Sequence, residues 1–367
     1  MRDGLVTVLL GGDVMLGRGV DQILPHPGDP RLWERYIDDA RRYVGLAESV
    51  NGPVPRPAGF EWPWGDALPL LDELGPDVRL LNLETAVTTS EDAAPGKAVH
   101  YRMHPDNVAC LQAIRPDAVS LANNHLLDFG RRGLEETLST RARAGIPAAG
   151  AGADAAEAAR PVVTGDPRVV FFAFGTPSSG VPVSWAAGHD RPGVWLVHDF
   201  SARCADQVTE HIRLSTRPGD LVIVSVHWGS NWGYDVPRDQ ARFAHRLIDG
   251  GVHVVFGHSS HHPRPIEVHK DRLVLYGCGD LVDDYEGIGG YEQYRDDLRL
   301  LWLASLDPAT GRLVRLRMAT MRSHRMRLRR ASYDDTSWMR AVLDRTSRPY
   351  GVRIETDSDD LLSLRTG

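Results

Sequence analysis

The sequence predicts a layered α/β fold in which two mixed β-sheets pack together and are flanked by helices. Three observations support this prediction. Short apolar runs rich in β-branched residues alternate with amphipathic stretches, the alternation gives way to strands alone after about residue 273, and metal-binding side chain types follow the apolar runs directly. Strand–helix alternation is typical of α/β proteins, because crossover helices cover the faces of a sheet. The later strands predict that part of the second sheet is antiparallel.

The first half of the chain contains three predicted strands, each of them a short apolar run. They are Leu5–Leu10, Val78–Leu83 and Ala118–Ala122. Helical spacing predicts one helix over 32–50, which ends at an Asn-Gly pair typical of helix C-termini, and another over 133–144.

The second half continues with six more strands and one helix. The strands are Val169–Phe174, Leu221–Val226, Val252–Phe256, Leu273–Tyr276, Leu300–Leu306 and Leu313–Met318. The helix, over 237–249, has proline in its first turn. We expect residues 1–330 to form one catalytic domain and residues 331–367 to form a helical and strand extension packed on it.

The composition limits the range of partners. The chain has 367 residues, of which 42% are hydrophobic and 25% charged, as in ordinary globular proteins. A net charge of −7 gives no reason to expect nucleic acid as a partner. Three cysteines are too few for a disulfide framework, and no apolar run approaches the ~20 residues of a membrane span. We therefore expect a cytoplasmic protein with no membrane partner, whose oligomeric state is open.

Five predicted strands run directly into side chains that can bind a metal ion. These side chains are Asp13, Glu84, Asn124 with His125, His227, and His258 with His261. Ligands of open α/β sheets bind beyond the carboxyl ends of the strands, so we expect these residues to converge. Carboxylates and imidazoles together coordinate a divalent cation and leave positions open for water or substrate.

Each of these residues taken alone has a simpler interpretation. An aspartate after a strand often caps a helix, and Asn-Asn-His forms turns because asparagine tolerates left-handed backbone. A single buried histidine is usually a hydrogen-bonded core residue. Five independent strand ends make such a coincidence improbable, so the sequence favours a shared metal site.

The ordered motifs GDVMLGR, NLE, ANNHLLDFG, VHWG, GHSSHHPRPIE and LVLYGCGD resemble the bacterial capsule and poly-γ-glutamate biosynthesis family. That family belongs to the calcineurin-like metallophosphoesterases, so the resemblance, from about residue 8 to about 284, implies the calcineurin-like fold. It also implies His125 as the acid–base residue. The implied metal ligands are Asp13, Glu84, Asn124, His227, His258 and His261.

Two motifs depart from the superfamily pattern. The first is normally Asp-x-His, but this chain has Asp13-Val14-Met15, and the second is Asn82-Leu83-Glu84 where Gly-Asp is usual. A site with fewer nitrogen ligands favours Ca²⁺, Mg²⁺ or Mn²⁺, as one or two ions. The loss also weakens the expectation of ordinary phosphoester hydrolysis, which usually requires two metal ions.

The resemblance extends to soluble epimerases encoded with lasso peptides. It implies a metal-dependent isomerase that inverts the Cα centre of a C-terminal, aromatic residue in a ribosomal precursor peptide, which is then the expected partner. A cation stabilises the enolate-like charge, and two bases act on opposite faces of Cα. We expect His125 to be supported by Asp128. The second base is His261 or His227, supported by Asp13 or Asp283.

Aromatic and arginine side chains in the motif loops predict the substrate contacts, through stacking and carboxylate binding. They are Arg18, Tyr101, Arg102, Trp228 and Trp232, and we also expect Asn231, in the same loop as Trp232, to contact the substrate. Core packing and structural salt bridges are the alternative roles. Two other functions stay open: a metallophosphoesterase or related hydrolase, in which His125 protonates the leaving group, and a component of poly-γ-glutamate (capsule) biosynthesis.

Overall fold

The computed structural model describes residues 4–366, so residues 1–3 and 367 of the predicted domains lie outside the described residues. Its strands are β1 (Val6–Val14), β2 (Val78–Leu83), β3 (Ala86–Val87), β4 (Arg102–Met103), β5 (Ala118–Ser120), β6 (Ala148–Ala149), β7 (Ala151–Gly152), β8 (Val162–Thr164), β9 (Val169–Gly175), β10 (Gly193–Val194), β11 (Leu221–His227), β12 (Val254–His258), β13 (Ile266–His269), β14 (Arg272–Leu275), β15 (Asp280–Val282), β16 (Leu298–Leu306), β17 (Leu313–Ser323), β18 (Leu328–Arg330), β19 (Val352–Thr356) and β20 (Leu362–Thr366). Its α-helices are α1 (Gly19–Ile23), α2 (Arg41–Asn51), α3 (Ala67–Leu74), α4 (Val108–Ala113), α5 (Gly130–Arg143), α6 (Ala155–Ala158), α7 (Ala202–Ser215), α8 (Arg238–Asp249) and α9 (Tyr333–Ser347). Within the described residues, every helix is too short or too polar to cross a membrane.

Two large mixed sheets form the centre of the molecule. Sheet I has the strand order β19-β20-β17-β16-β1-β2-β5-β6, and β15 pairs with the end of β1. Sheet II has the order β13-β14-β12-β11-β9-β8. The inner strands β1, β2 and β5 of sheet I are parallel, as are β9, β11, β12 and β14 of sheet II. Parallel strands place their carboxyl ends at the same edge of each sheet.

The two sheets pack face to face through one apolar core. Val8 and Leu10 of sheet I belong to the same buried cluster as Phe171, Ile223 and Phe256 of sheet II. The outer face of sheet I is covered by α3, α4 and α5, and that of sheet II by α7 and α8. This arrangement of helix, sheet, sheet and helix layers confirms the predicted fold class.

Two predicted elements differ from the structure. The helix expected over 32–50 begins only at Arg41, because the preceding segment folds back on itself through a bridge between Arg31 and Asp39. The long antiparallel strands β16 and β17 join sheet I, where Val6 pairs with Leu306, and not the second sheet as expected. The described part of the predicted C-terminal extension contains α9, β19 and β20, and β20 pairs with β17. The domain division itself stays a prediction.

Candidate metal-binding active site

The carboxyl ends of the parallel strands in the two sheets meet at one place. In sheet I, Asp13 is in register with Asn82 on β2 and with Asp280 on β15. In sheet II, His227 at the end of β11 is the register partner of His258 at the end of β12. The parallel pairing predicted from the sequence therefore brings the candidate ligands together, and all five of these side chains are buried.

Gly12 allows this approach. A Cβ atom at this position would lie 1.7 Å from the carbonyl oxygen of Gly279. Since no side chain fits there, glycine is required for the end of β1 to lie against the segment that carries Asp280.

The candidate carboxylate ligands for a metal ion come from the sheet I side of the centre. The amide of Asn82 donates to Asp13 Oδ1 over 2.7 Å and to Glu84 Oε2 over 3.0 Å, so it holds both carboxylates in place. The backbone N–H of Ser259 donates to Asp13 Oδ2 over 2.9 Å. Asn123 in turn donates to Asn82 Oδ1 over 3.1 Å. These hydrogen bonds fix the orientation of both carboxylates.

The candidate imidazole ligands come from the sheet II side. His227 Nδ1 lies 2.6 Å from His258 Nδ1, and His227 Nε2 lies 2.8 Å from Asn124 Oδ1. His258 Nδ1 is 3.7 Å from Asp13 Oδ1, and His227 Nε2 is 3.7 Å from Glu84 Oε1. Asp13, His227 and His258 each offer a ligand atom within 4.8 Å of the others. Five of the six predicted ligands, all except His261, therefore lie around one small space.

The charges of the buried groups fit a divalent cation in that space. Burial and the neighbouring charge of Asp280 raise the pKa of Asp13 to about 7. Burial and the charge of Asp13 also hold the pKa of Glu84 well above its usual value. Burial lowers the pKa of His258 to about 3 and that of His227 well below its usual value, so both rings are neutral donors. Neutral imidazoles beside crowded carboxylates form a donor set suited to a cation.

His125 forms a hydrogen-bonded pair with Asp128 beside this donor set. His125 Nδ1 lies 2.7 Å from Asp128 Oδ2, and the other ring nitrogen, Nε2, lies 3.9 Å from Glu84 Oε1. Asp128 also accepts from the backbone N–H of Tyr101 over 2.7 Å and from the ammonium of Lys97. Burial, followed by the positive charge of Lys97, lowers the pKa of His125 to about 4. The ring is therefore neutral near pH 7 and is available as a base.

His261 forms a second histidine–carboxylate pair. Its Nδ1 lies 3.1 Å from Asp280 Oδ1, and its ring packs against Trp232 and Tyr285 at centroid distances of 5.2 Å and 5.3 Å. Burial disfavours the charged ring, but the charges of Asp280, Asp13 and Asp283 together outweigh burial and raise the pKa of His261. Asn231 Nδ2 lies 3.3 Å from His261 Nε2. His261 is thus more basic than His125.

The histidines of both pairs, His125 and His261, line one cavity of about 250 Å³. Its polar lining residues include Glu84, Lys97, Tyr101, Asn124, His125, Asn231, Ser259, His261 and Tyr285. The cavity therefore presents cation ligands, two histidines and an ammonium group to any molecule that enters it.

Several predicted substrate contacts lie elsewhere. Arg18 is buried and forms ion pairs with Asp284 and Glu34, behind the cavity wall. Trp228 is fully buried in the core outside sheet II, where its indole N–H donates to the carbonyl oxygen of Tyr276 over 3.0 Å. Arg18 therefore has the alternative role of a structural salt bridge, and Trp228 has that of core packing.

Arg102 and Asp283 are also committed to other partners. The guanidinium of Arg102 donates to the carbonyl oxygens of Ser90 and Asp29, over 2.9 Å and 2.8 Å. Asp283 forms a buried ion pair with Arg299, so it does not orient a histidine. Asp280 occupies the position beside His261 that was expected for Asp283.

Asp280 and Lys97 are the site residues that sequence reasoning missed. Asp280 ends the motif LVLYGCGD, and its position after an apolar strand was the signal that could have identified it. Lys97 comes from a polar loop without a motif, and its ammonium reaches Asp128 and the carbonyl oxygen of Asn124 through the tertiary fold alone.

Two mixed sheets between helices, with carboxylates, an amide and imidazoles at their shared carboxyl edge, define an α/β protein of the calcineurin-like class. The chain belongs to the family described as bacterial capsule synthesis protein PGA_cap, whose model matches residues 7–285.

Known relatives support this assignment along most of the chain. Two proteins from Mycobacterium tuberculosis strains, both named probable polyglutamine synthesis accessory protein, are 56% identical over 364 residues, which is 98% of this chain and 96% of theirs. The PGA biosynthesis protein CapA of Bacillus subtilis is 24% identical over 299 residues, which is 80% of this chain and 66% of that protein.

Proposed function

We propose that this protein is a metal-dependent accessory enzyme of poly-amino-acid synthesis that hydrolyses an amide bond in a glutamine or glutamate polymer. The proposal depends on one observation: the His125–Asp128 pair lies beside a cation donor set, in a chain similar along nearly its whole length to proteins named for polyglutamine synthesis. The cavity beside them is lined by Glu84, Asn124 and His125, and by Lys97, whose ammonium pairs with Asp128.

The residues of the chain divide the work. Asp13, Glu84, Asn124, His227 and His258 would hold the cation. A bound divalent cation acidifies water and stabilises negative charge on a carbonyl oxygen. His125 Nε2 takes a proton from the attacking water and returns it to the leaving nitrogen, while Asp128 holds Nδ1–H and keeps the ring in that tautomer. Water adds across the C–N bond, so the products are one carboxylate and one amine.

The test uses purified protein with Mn²⁺, Mg²⁺ or Ca²⁺ and synthetic oligomers of glutamine and of glutamate, with α- or γ-linkages. Mass spectrometry follows shortened products. We expect His125→Ala to lower the cleavage rate by ~10²–10⁴-fold with its metal content unchanged. His198→Ala, an exposed histidine outside the cavity, serves as the matched control. No cleavage of any oligomer with any of the three ions would overturn the proposal.

A second candidate function is peptide epimerisation, and one observation favours it. His125 and His261, each paired with an aspartate behind it, line the same cavity, and a two-base inversion at Cα requires two such bases. Oligomers and peptides with C-terminal aromatic residues are incubated with the protein and metal in D₂O. Incorporation of deuterium at Cα without chain cleavage would favour epimerisation over hydrolysis as the function of the protein. Absence of deuterium under every metal condition removes this candidate.

A further inference from the structure

We propose that His245, Glu267 and His269 form a second metal site, on the surface of sheet II, which takes Zn²⁺ or a similar transition-metal ion. His245 lies on α8, and the other two residues lie on the edge strand β13. Glu267 ends the motif GHSSHHPRPIE, but none of the three residues has a predicted role, and the site does not depend on the function proposed for the buried centre.

The three side chains already share one small space. Each offers a ligand atom within 4.8 Å of the other two. His245 Nε2 lies 2.9 Å from Glu267 Oε1, and the imidazole rings of His245 and His269 are parallel, with centroids 4.0 Å apart. Two imidazoles and one carboxylate, with a fourth position open, are a common ligand set for zinc in proteins.

Neighbouring groups orient the ligands. The hydroxyl of Tyr276 donates to Glu267 Oε2 over 2.5 Å, which leaves Oε1 directed at His245. Asp249 Oδ1 lies 3.2 Å from His269 Nε2 and accepts from the ammonium of Lys270 over 2.6 Å, so as a fourth ligand it would exchange this ion pair for the metal ion. A hydrogen bond to the second oxygen of a ligating carboxylate is typical of metal centres, because it fixes the carboxylate's orientation.

An ion can reach this place from solvent. The side chains of His245 and His269 are 32% and 22% exposed, and a cavity of about 440 Å³ beside them is lined in part by His245 and Asp249. A metal ion must lie in the plane of each ring that binds it, so the two parallel rings tilt towards each other on binding. Their partial exposure leaves room for that rotation.

The two metal centres differ in donor type. The buried centre combines several oxygen ligands with its imidazoles, which suits hard cations. The surface site has two imidazoles and one carboxylate, and this higher proportion of nitrogen ligands suits zinc. An ion bound there links α8 to β13 and stabilises the folded protein by mass action, since the unfolded chain does not hold the three ligands together.

The test is a Co²⁺ and Zn²⁺ titration of the full chain after metal removal by a chelator. We expect His245→Gln/His269→Gln to bind one equivalent less than the wild type and to lose the visible absorption of one Co²⁺ centre. His189→Gln, an exposed histidine beside Asp190, is the matched control and keeps full stoichiometry. Asp13→Asn, which alters the buried centre, should keep the surface equivalent.

Thermal unfolding provides a second readout. Zn²⁺ at ~100-fold excess over its Kd should raise the Tm of the Asp13→Asn protein by roughly 3–5 °C. The rise should disappear when the two histidine substitutions are added. Equal stoichiometry in the wild type and the double variant, or an equal Tm rise with and without the histidines, would overturn the proposal.

Discussion

The edges of the two sheets contribute different chemistry to the same centre. The sheet I edge supplies carboxylates, among them Asp13 and Glu84, and the pKa of each is raised by burial. The sheet II edge supplies the imidazoles of His227 and His258, and the pKa of each is lowered by burial. Burial thus opposes charge on both sides, and a cation that accepts electron pairs from both relieves the conflict. Neither sheet alone forms the site.

Removal of one ligand from either sheet should have the largest effect. Asp13→Asn and His258→Ala should each lower metal affinity by more than ~100-fold, since even residues behind the ligands typically account for 10–100-fold. Metal analysis of the purified variants and their cleavage rates measure the loss. If one variant keeps full metal content while the other loses it, a single sheet forms the centre and the comparison fails.

A smaller effect is expected from the residues that orient the histidines. Asp280 supports His261 from the sheet I side, and Ser225 Oγ lies 2.5 Å from His258 Nε2 within sheet II. Asp280→Asn should lower the activity, because His261 lines the cavity, and Ser225→Ala should lower the metal affinity, because His258 is a candidate ligand, each by ~10–100-fold. Cleavage rates measure the first loss and isothermal titration with Mn²⁺ measures the second, and an unchanged value for either variant would contradict the role of that residue.

The metal-free protein should respond to pH with opposite signs at the two edges. The pKa of Asp13 rises from 3.8 to about 7 on folding, so its contribution to the free energy of unfolding is present below about pH 4 and lost as pH rises through 7. The pKa of His258 falls from 6.5 to about 3, so its contribution is present above pH 6.5 and lost as pH falls towards 3.

Denaturant titrations of metal-free variants across pH 4–8 separate these two contributions. Asp13→Asn should remove the loss on the alkaline side, and His258→Gln should remove the loss on the acid side, each by roughly 1–4 kcal/mol. Added cation should reduce the alkaline loss in the wild type. Identical pH profiles for the two variants would contradict the opposite roles of the sheets.

The smallest effect concerns two tryptophans near the sheet II edge. Trp232 stacks on Tyr291 at 3.9 Å and packs on His261, so Trp232→Ala should raise KM by roughly 2–10-fold. Trp228 is a core residue, so Trp228→Phe should lower the Tm and leave KM unchanged. Steady-state kinetics of both variants decides this, and a raised KM for Trp228→Phe would return that residue to the substrate contacts.

Much of the fold was predictable from local pattern. Apolar runs such as those over residues 169–174 and 221–224 are continuous because both faces of an inner strand are buried, and that pattern is visible in the sequence. The sheet joined by β16 and β17 was not predictable, because an antiparallel strand pairs equally well with any open edge of suitable polarity. The predicted helix over 32–50 was longer than α2, because the segment before Arg41 forms a turn closed by the bridge between Arg31 and Asp39.

The sequence by itself determined the types of the candidate ligands and their positions at strand ends, because the side chain of Asp13 or His258 follows its strand whatever the neighbouring strands are. The tertiary structure alone decided which carboxylate faces which histidine. It placed Asp280, not Asp283, beside His261 and brought Lys97 from a loop to Asp128. The physical reason is that the contacts of a side chain depend on the approach of distant backbone segments, and sequence spacing carries no measure of that distance.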